Sequence, residues 1–175
     1  MIKVLVIPGI HYDAGQFLEL VRQRGGVLYI AAGSGAVCGE DATRMLILEL
    51  RGADNPCDFG ADIVVVGSDA PDVRRLPCGC VKKDAMIIFD PQDIAQCSFV
   101  ARRGYRLITC GSGERNTVSV SSIAEDAIVL SVGRDVRNAY GQMVEVQDYV
   151  FHAKIWDVPT AVLASTLLLL TEEGI

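Results

Sequence analysis

VIPGIHYDAG, residues 6–15, decides how the rest of this chain is read. It joins the apolar run IKVLVI, residues 2–7, to a segment with helical spacing, through a turn that begins at Gly9. A buried strand, a glycine turn and a helix make the outline of a phosphate-binding loop, whose pattern is G-x-x-x-x-G-K-[ST]. Here Gly9 is followed by Ile10, His11, Tyr12 and Asp13, and no lysine follows. Free N–H groups and the dipole at a helix start favour an anion, yet Asp13 brings its own carboxylate to that place. The stretch reads either as an altered ligand loop or as a strand-to-helix turn capped by Asp13.

Working outward, Asp13 to Arg24 is predicted helical. Ala14, Phe17, Leu18 and Val21 fall on one face, Asp13 with Gln16 resembles a capping box, and Gly25-Gly26 closes the helix. Short apolar runs follow at Val27–Ala31, Met45–Leu50, Ile63–Val66, Met86–Phe89 and Tyr105–Cys110, with a glycine turn at Gly33-Ser34-Gly35. Asp90 and Pro91 open a further helix expected to reach Arg103. Strands this apolar, separated by helix-length connections, imply a mostly parallel sheet with helices on both faces. After Gly113 the pattern alternates. Thr117–Ile123, Ala127–Val132 and Val144–Phe151 read as a small antiparallel C-terminal sheet, and a helix from about Asp157 to Gly174 ends the chain. That helix is apolar nearly all round, so it is either sandwiched or a subunit contact. The fold class is α/β, and residues 1–175 read as one domain.

Composition narrows the function. Half of the 175 residues are hydrophobic and 22% are charged, which supplies a real core. A net charge of −6 argues against nucleic acid, because phosphate contacts need a basic face. The pairs Arg74-Arg75, Lys82-Lys83 and Arg102-Arg103 read as solvated surface. The first ten residues lack a basic leader and a small-residue cleavage site, and Ala161–Leu170 is too short to span a bilayer. The expectation is a cytoplasmic protein that does not engage a membrane. The six cysteines include one close pair, Cys78-Gly79-Cys80, with no paired C-x-x-C, and the two histidines, His11 and His152, lie far apart in sequence. They read as reduced structural thiols, with a C-x-C metal or redox site as the alternative.

Taken in order, these parts resemble the central, ATP-binding domain of the Mur ligases and of relatives such as folylpolyglutamate synthase. VIPGIHYDAG stands where the phosphate loop of that domain would be. LILEL puts Glu49 at a strand end, where it resembles the family's magnesium-binding glutamate. DIVVVGSDAPDV places Asp72 where the aspartate of an aspartate-histidine pair would fall. MIIFDPQD, YRLITCGSG, TVSVSSIAEDAIVLSV and PTAVLASTLLLLTEEGI resemble the later strands, the antiparallel hairpin and the closing helix. The resemblance covers nearly the whole chain and is one of layout. The departures are chemical. Asp13 lies at about the place of the loop lysine, where it would repel a polyphosphate. Ala14 and Gly15 offer no hydroxyl for magnesium, Val73 replaces the histidine after Asp72, and the flanking ligase domains have no counterpart in these residues.

The resemblance with its departures implies a Mur-ligase-like domain that has lost ATP-dependent amide ligase chemistry and serves as a binding or assembly module. It would be a homo-oligomer, through its C-terminal helix or a sheet edge, with no cofactor and no catalytic residue. Gly9, His11, Tyr12 and Asp13 mark the altered loop. The alternative is an ATP- and Mg-binding ligase subunit completed by a partner chain, with Glu49 and Asp72 holding magnesium, an ion that prefers oxygen ligands. Glu49, Asp69 and Asp72 also read as solvated strand-end carboxylates. A second alternative is an unrelated small-molecule-binding domain using His11 and Tyr12 at the sheet edge. Ser68 lacks a G-x-S-x-G elbow, and Gly111-Ser112-Gly113 reads as a tight turn.

Overall fold

A computed structural model describes residues 1–31, 34–38, 44–50, 58–70, 79–92 and 104–173. The strands of its main sheet are β1 (Ile2–Ile7), β2 (Val27–Ala31), β3 (Ser34–Cys38), β4 (Met45–Glu49), β5 (Ala61–Val66), β6 (Val81–Phe89), β7 (Arg106–Gly111), β8 (Val118–Ile123), β9 (Ala127–Val132) and β12 (Asp148–His152). Two short strands, β10 (Val136–Arg137) and β11 (Met143–Val144), pair by themselves. Helix α1 is Ala14–Val21 and helix α2 is Val158–Leu170.

The ten-stranded sheet runs β12-β9-β8-β7-β6-β5-β1-β4-β2-β3. Pairing is parallel from β2 through β4, β1, β5 and β6 to β7. The antiparallel C-terminal part is not a separate sheet. β8 joins β7 by a short parallel pairing, Cys110 with Val118 and Gly111 with Ser119, and then pairs antiparallel with β9. The fold is α/β and mostly parallel, as the alternation of runs and helix-length connections implied.

β1 sits mid-sheet between β4 and β5, and its alternation feeds two cores. Val4 and Val6 point to the side covered by α1 and α2, among Phe17, Leu20, Leu167 and Leu168. Leu5 and Ile7 point to the other side, among Val64, Val66, Ile87 and Phe89. Both helices described pack together on the first face. The crossover expected over 91–103 is described only to Gln92, so it lies outside the described residues.

Several elements differ from expectation. The buried face of α1 carries Gln16, Phe17, Leu20 and Val21, with Leu18 half-buried, and a short 3-10 turn, Arg22–Arg24, ends it. Ser34 and Gly35 are not a turn but open β3, which pairs antiparallel with β2. β6 begins at Val81, earlier than its apolar centre, because Lys82, Lys83 and Asp84 form an exposed first half where Lys82 pairs with Asp62. The stretch 144–151 is split between β11 and β12. Helix α2 is buried from Thr160 to Leu170 within its own chain, so the sandwiched alternative is the one observed and its apolar surface is already covered.

Candidate functional site

The loop after β1 is shaped by close backbone contact. The Gly67 N–H donates to the Ile7 carbonyl at 2.9 Å, which ties the loop after β5 to the end of β1. A Cβ on Gly9 would sit 1.7 Å from the Ser68 carbonyl oxygen, and a Cβ on Gly67 would sit 2.4 Å from the Gly9 nitrogen. Only glycine permits that approach at either place. The Tyr12 N–H returns to the Gly9 carbonyl at 3.3 Å, so residues 9–12 form a turn. Ile10 and His11 project into solvent, and the Tyr12 ring packs against Phe17 with centroids 5.6 Å apart.

Asp13 occupies the start of α1. Its Oδ1 accepts from the Gln16 N–H at 2.8 Å and its Oδ2 from the Trp156 indole N–H at 3.2 Å. Its own N–H donates to Thr160 Oγ1 at 3.0 Å. The Gln16 N–H is the main influence holding the Asp13 carboxyl below its ordinary value; partial burial opposes it, and the Trp156 and Gly15 N–H groups add to it. Gly15 leaves room for this packing, since a Cβ there would lie 3.1 Å from Asp13 Oδ1 and 3.7 Å from the Trp156 ring.

The capping box expected of Asp13 and Gln16 forms in one direction alone. The Gln16 side chain does not return to the Asp13 N–H. It is fully buried and turns to the C-terminal half of the chain instead. Its Nε2 donates to the Lys154 carbonyl at 3.2 Å, and its Oε1 accepts from the Trp156 and Asp157 N–H groups at 2.8 and 3.1 Å. Asp157 in turn caps α2 through the Thr160 N–H at 3.0 Å, with Pro159 in the first turn. The two helix starts are therefore interlocked through Asp13, Gln16, Trp156, Asp157 and Thr160. Trp156, half exposed, sets its indole against Asp13 and Gly15 at the start of α1.

Beside this interlock a cleft of about 190 Å³ opens at the C-terminal ends of β5, β6 and β7. Ser68, Asp90, Cys110 and Ser112, from the strand ends, line it together with Val158 and Val162 of α2. Asp90 follows β6, and its Oδ1 accepts from the Gln92 N–H at 3.0 Å; the helix it was expected to cap lies outside the described residues. Cys110 is buried on β7, and burial, reinforced by the Asp90 charge and opposed by the Thr166 hydroxyl, pushes its thiol up to about 12. A second recess, between His11, Tyr12, Ser68 and Thr160, has only about 10 Å³, about the space of one water.

Gly9, His11, Tyr12 and Asp13 thus share one loop at the C-terminal edge of the sheet, where α/β folds bind ligands. Glu49 ends β4 in register with Val6, and is 1% exposed rather than a solvated strand-end carboxylate. Asp69 adopts a left-handed φ of 57° in the loop after β5. Asp72 lies outside the described residues. Among the described residues, no three His, Cys, Asp or Glu side chains come together as metal ligands would. No helix among them is long and apolar enough to cross a membrane. Sequence reasoning missed Trp156 and Thr160. The helix signal of Asp157 and Pro159 located them, but nothing local indicated that they would meet residues 13–16.

No family profile matches the chain, and no curated protein sequence does. Solved structures do match it. The murein peptide ligase Mpl of Psychrobacter arcticus 273-4 superposes with a TM-score of 0.59 at 9% identity, over 94% of this chain and 43% of the ligase. MurF of Acinetobacter baumannii superposes with a TM-score of 0.52 at 10% identity, over 97% of this chain and 42% of MurF. The chain spans less than half the length of these ligases, and at such identity the likeness is one of fold alone, an α/β architecture shared with part of each ligase.

Proposed function

We propose that this chain is a Mur-ligase-like domain without ATP-dependent ligase chemistry, acting as a binding or assembly module. The observation that supports it most directly is the state of the α1 start. The position at about the place of the loop lysine holds a carboxylate, and that carboxylate accepts from the Gln16 N–H and from Trp156. A phosphate arriving there would meet like charge and an indole already in place. The capping N–H that would serve an anion is already engaged. Self-association would use a sheet edge, since α2 is buried inside the chain.

Calorimetric titration of the purified chain with ATP and magnesium tests this reading. The expected result is no heat of binding at micromolar nucleotide. Micromolar affinity would overturn it.

One observation favours a second reading, in which the chain is the ATP- and Mg-binding subunit of an amide ligase completed by a partner. Glu49 is a buried carboxylate at the end of the strand beside β1, and with Asp72 it would hold magnesium. That reading expects a ligase-like protein to co-purify with the chain from its native cell and ATP turnover to appear on mixing the two. The third possibility, a small-molecule site at His11 and Tyr12, is disfavoured by the size of the recess there.

A further inference from the structure

We propose that the cleft between Asp90 and the first turns of α2 is a binding site for a small primary amine carrying a compact apolar body. This inference does not depend on whether the phosphate loop is active, because no residue of the loop lines the cleft.

Size sets the first limit. An engineered apolar cavity of about 150 Å³ accepts benzene, so a space of about 190 Å³ takes a six-membered ring with one or two further heavy atoms. Lining chemistry sets the second. Val120, Ile123, Val158, Val162 and Leu163 give the apolar wall, which suits a hydrocarbon body. Charge sets the third. Asp90 is the one charged side chain among the described residues that line it, and the chain carries a net charge of −6. Among the described residues, no lysine, arginine or histidine lines the space to receive an anion.

The polar groups match an ammonium head. An ammonium carries three N–H donors. Asp90, Ser68 and Ser112 all line the cleft, and their side chains carry oxygen acceptors for such a head. Asp90 engages the Gln92 N–H through Oδ1, and its Oδ2 is turned towards Gly111, 3.3 Å from where a Cβ would stand. The glycine at 111 has a φ of +140° and keeps that approach open. A charge-assisted hydrogen bond to a carboxylate in a partly enclosed space is about twice as strong as a neutral one, so the head group discriminates by charge and the body by size.

The probe is benzylammonium, with benzoate and benzyl alcohol as ring-matched anionic and neutral controls, followed by amide shifts in two-dimensional NMR. Saturable shifts are expected at Gly111, Ser112 and Val162 with benzylammonium, with benzoate producing none. Asp90→Asn retains a side-chain acceptor for the Gln92 N–H and is expected to weaken benzylammonium about tenfold, the loss of one charge-assisted hydrogen bond. Ser112→Phe, at an exposed rim position, is expected to fill the cleft and abolish the shifts while the rest of the spectrum stays folded. Equal binding of benzoate, an unchanged affinity in Asp90→Asn, or no saturable shift with millimolar benzylammonium would each overturn the proposal.

Discussion

Gln16 shows how much one side chain can decide. A surface glutamine is replaceable, but this one is fully buried and satisfies two N–H groups and one carbonyl of the segment that precedes α2. Removing one side of a buried hydrogen bond leaves its partner desolvated, at about 1–3 kcal/mol each. Gln16→Ala is expected to lower stability by about 2–4 kcal/mol, since water can reach some of the groups it exposes. Urea denaturation with linear extrapolation measures it. A loss below about 1 kcal/mol would show that water replaces the amide fully. The residue was legible as a helix-start residue and illegible as a bridge. Its sequence neighbours announce a cap, whereas its partners come from a segment that no local pattern connects to it.

At the scale of elements, what the sequence made readable was whatever periodicity and capping control. β1, β2 and β9 fall where their apolar runs end, and the starts of α1 and α2 fall at their aspartate caps. What escaped was set by pairing. β3 exists because Ser34–Cys38 finds an edge on β2, although its glycine and serine speak for a turn. The first half of β6 is polar and becomes strand because its neighbour β5 offers hydrogen bonds and Asp62 offers Lys82 a partner. The candidate site divides the same way. Its loop residues were visible as a glycine turn, while the cleft, built from the ends of β5, β6 and β7 and the first turns of α2, needed the strand order. The contact between the loops after β1 and β5 gives a test at this scale. Gly9→Ala is expected to cost more than about 4 kcal/mol or prevent folding, because the collision is with backbone and no rotamer relieves it. Gly113→Ala, whose nearest neighbour would be 3.5 Å away, is the expected near-neutral control. Thermal unfolding of both variants checks the pair; a well-folded Gly9→Ala would mean that the two loops can separate.

The molecule as a whole is stitched by bonds between segments far apart in sequence. The bonds that complete the start of α1 come from residues 138 to 147 positions further along the chain. Until those residues exist, Asp13 lacks Trp156 and Thr160, and Gln16 lacks all three of its partners. At about 5–20 residues per second on the ribosome, a gap of 147 positions lasts roughly 7–30 s. β1 is synthesised well before α2, yet the face it shares with Phe17 and Leu20 is roofed by α2. Contacts of this range also make folding slow once the chain is complete. A chain ended after Ala153 is expected to be cut by protease within residues 14–24, where the full chain resists; equal resistance of the two would show that α1 needs no partner from the C-terminal segment. For a ribosome making this protein, the interlock means that residues 13–16 are secured only after residues 154–160 have been made, so the start of α1 stays unprotected while everything between them is synthesised.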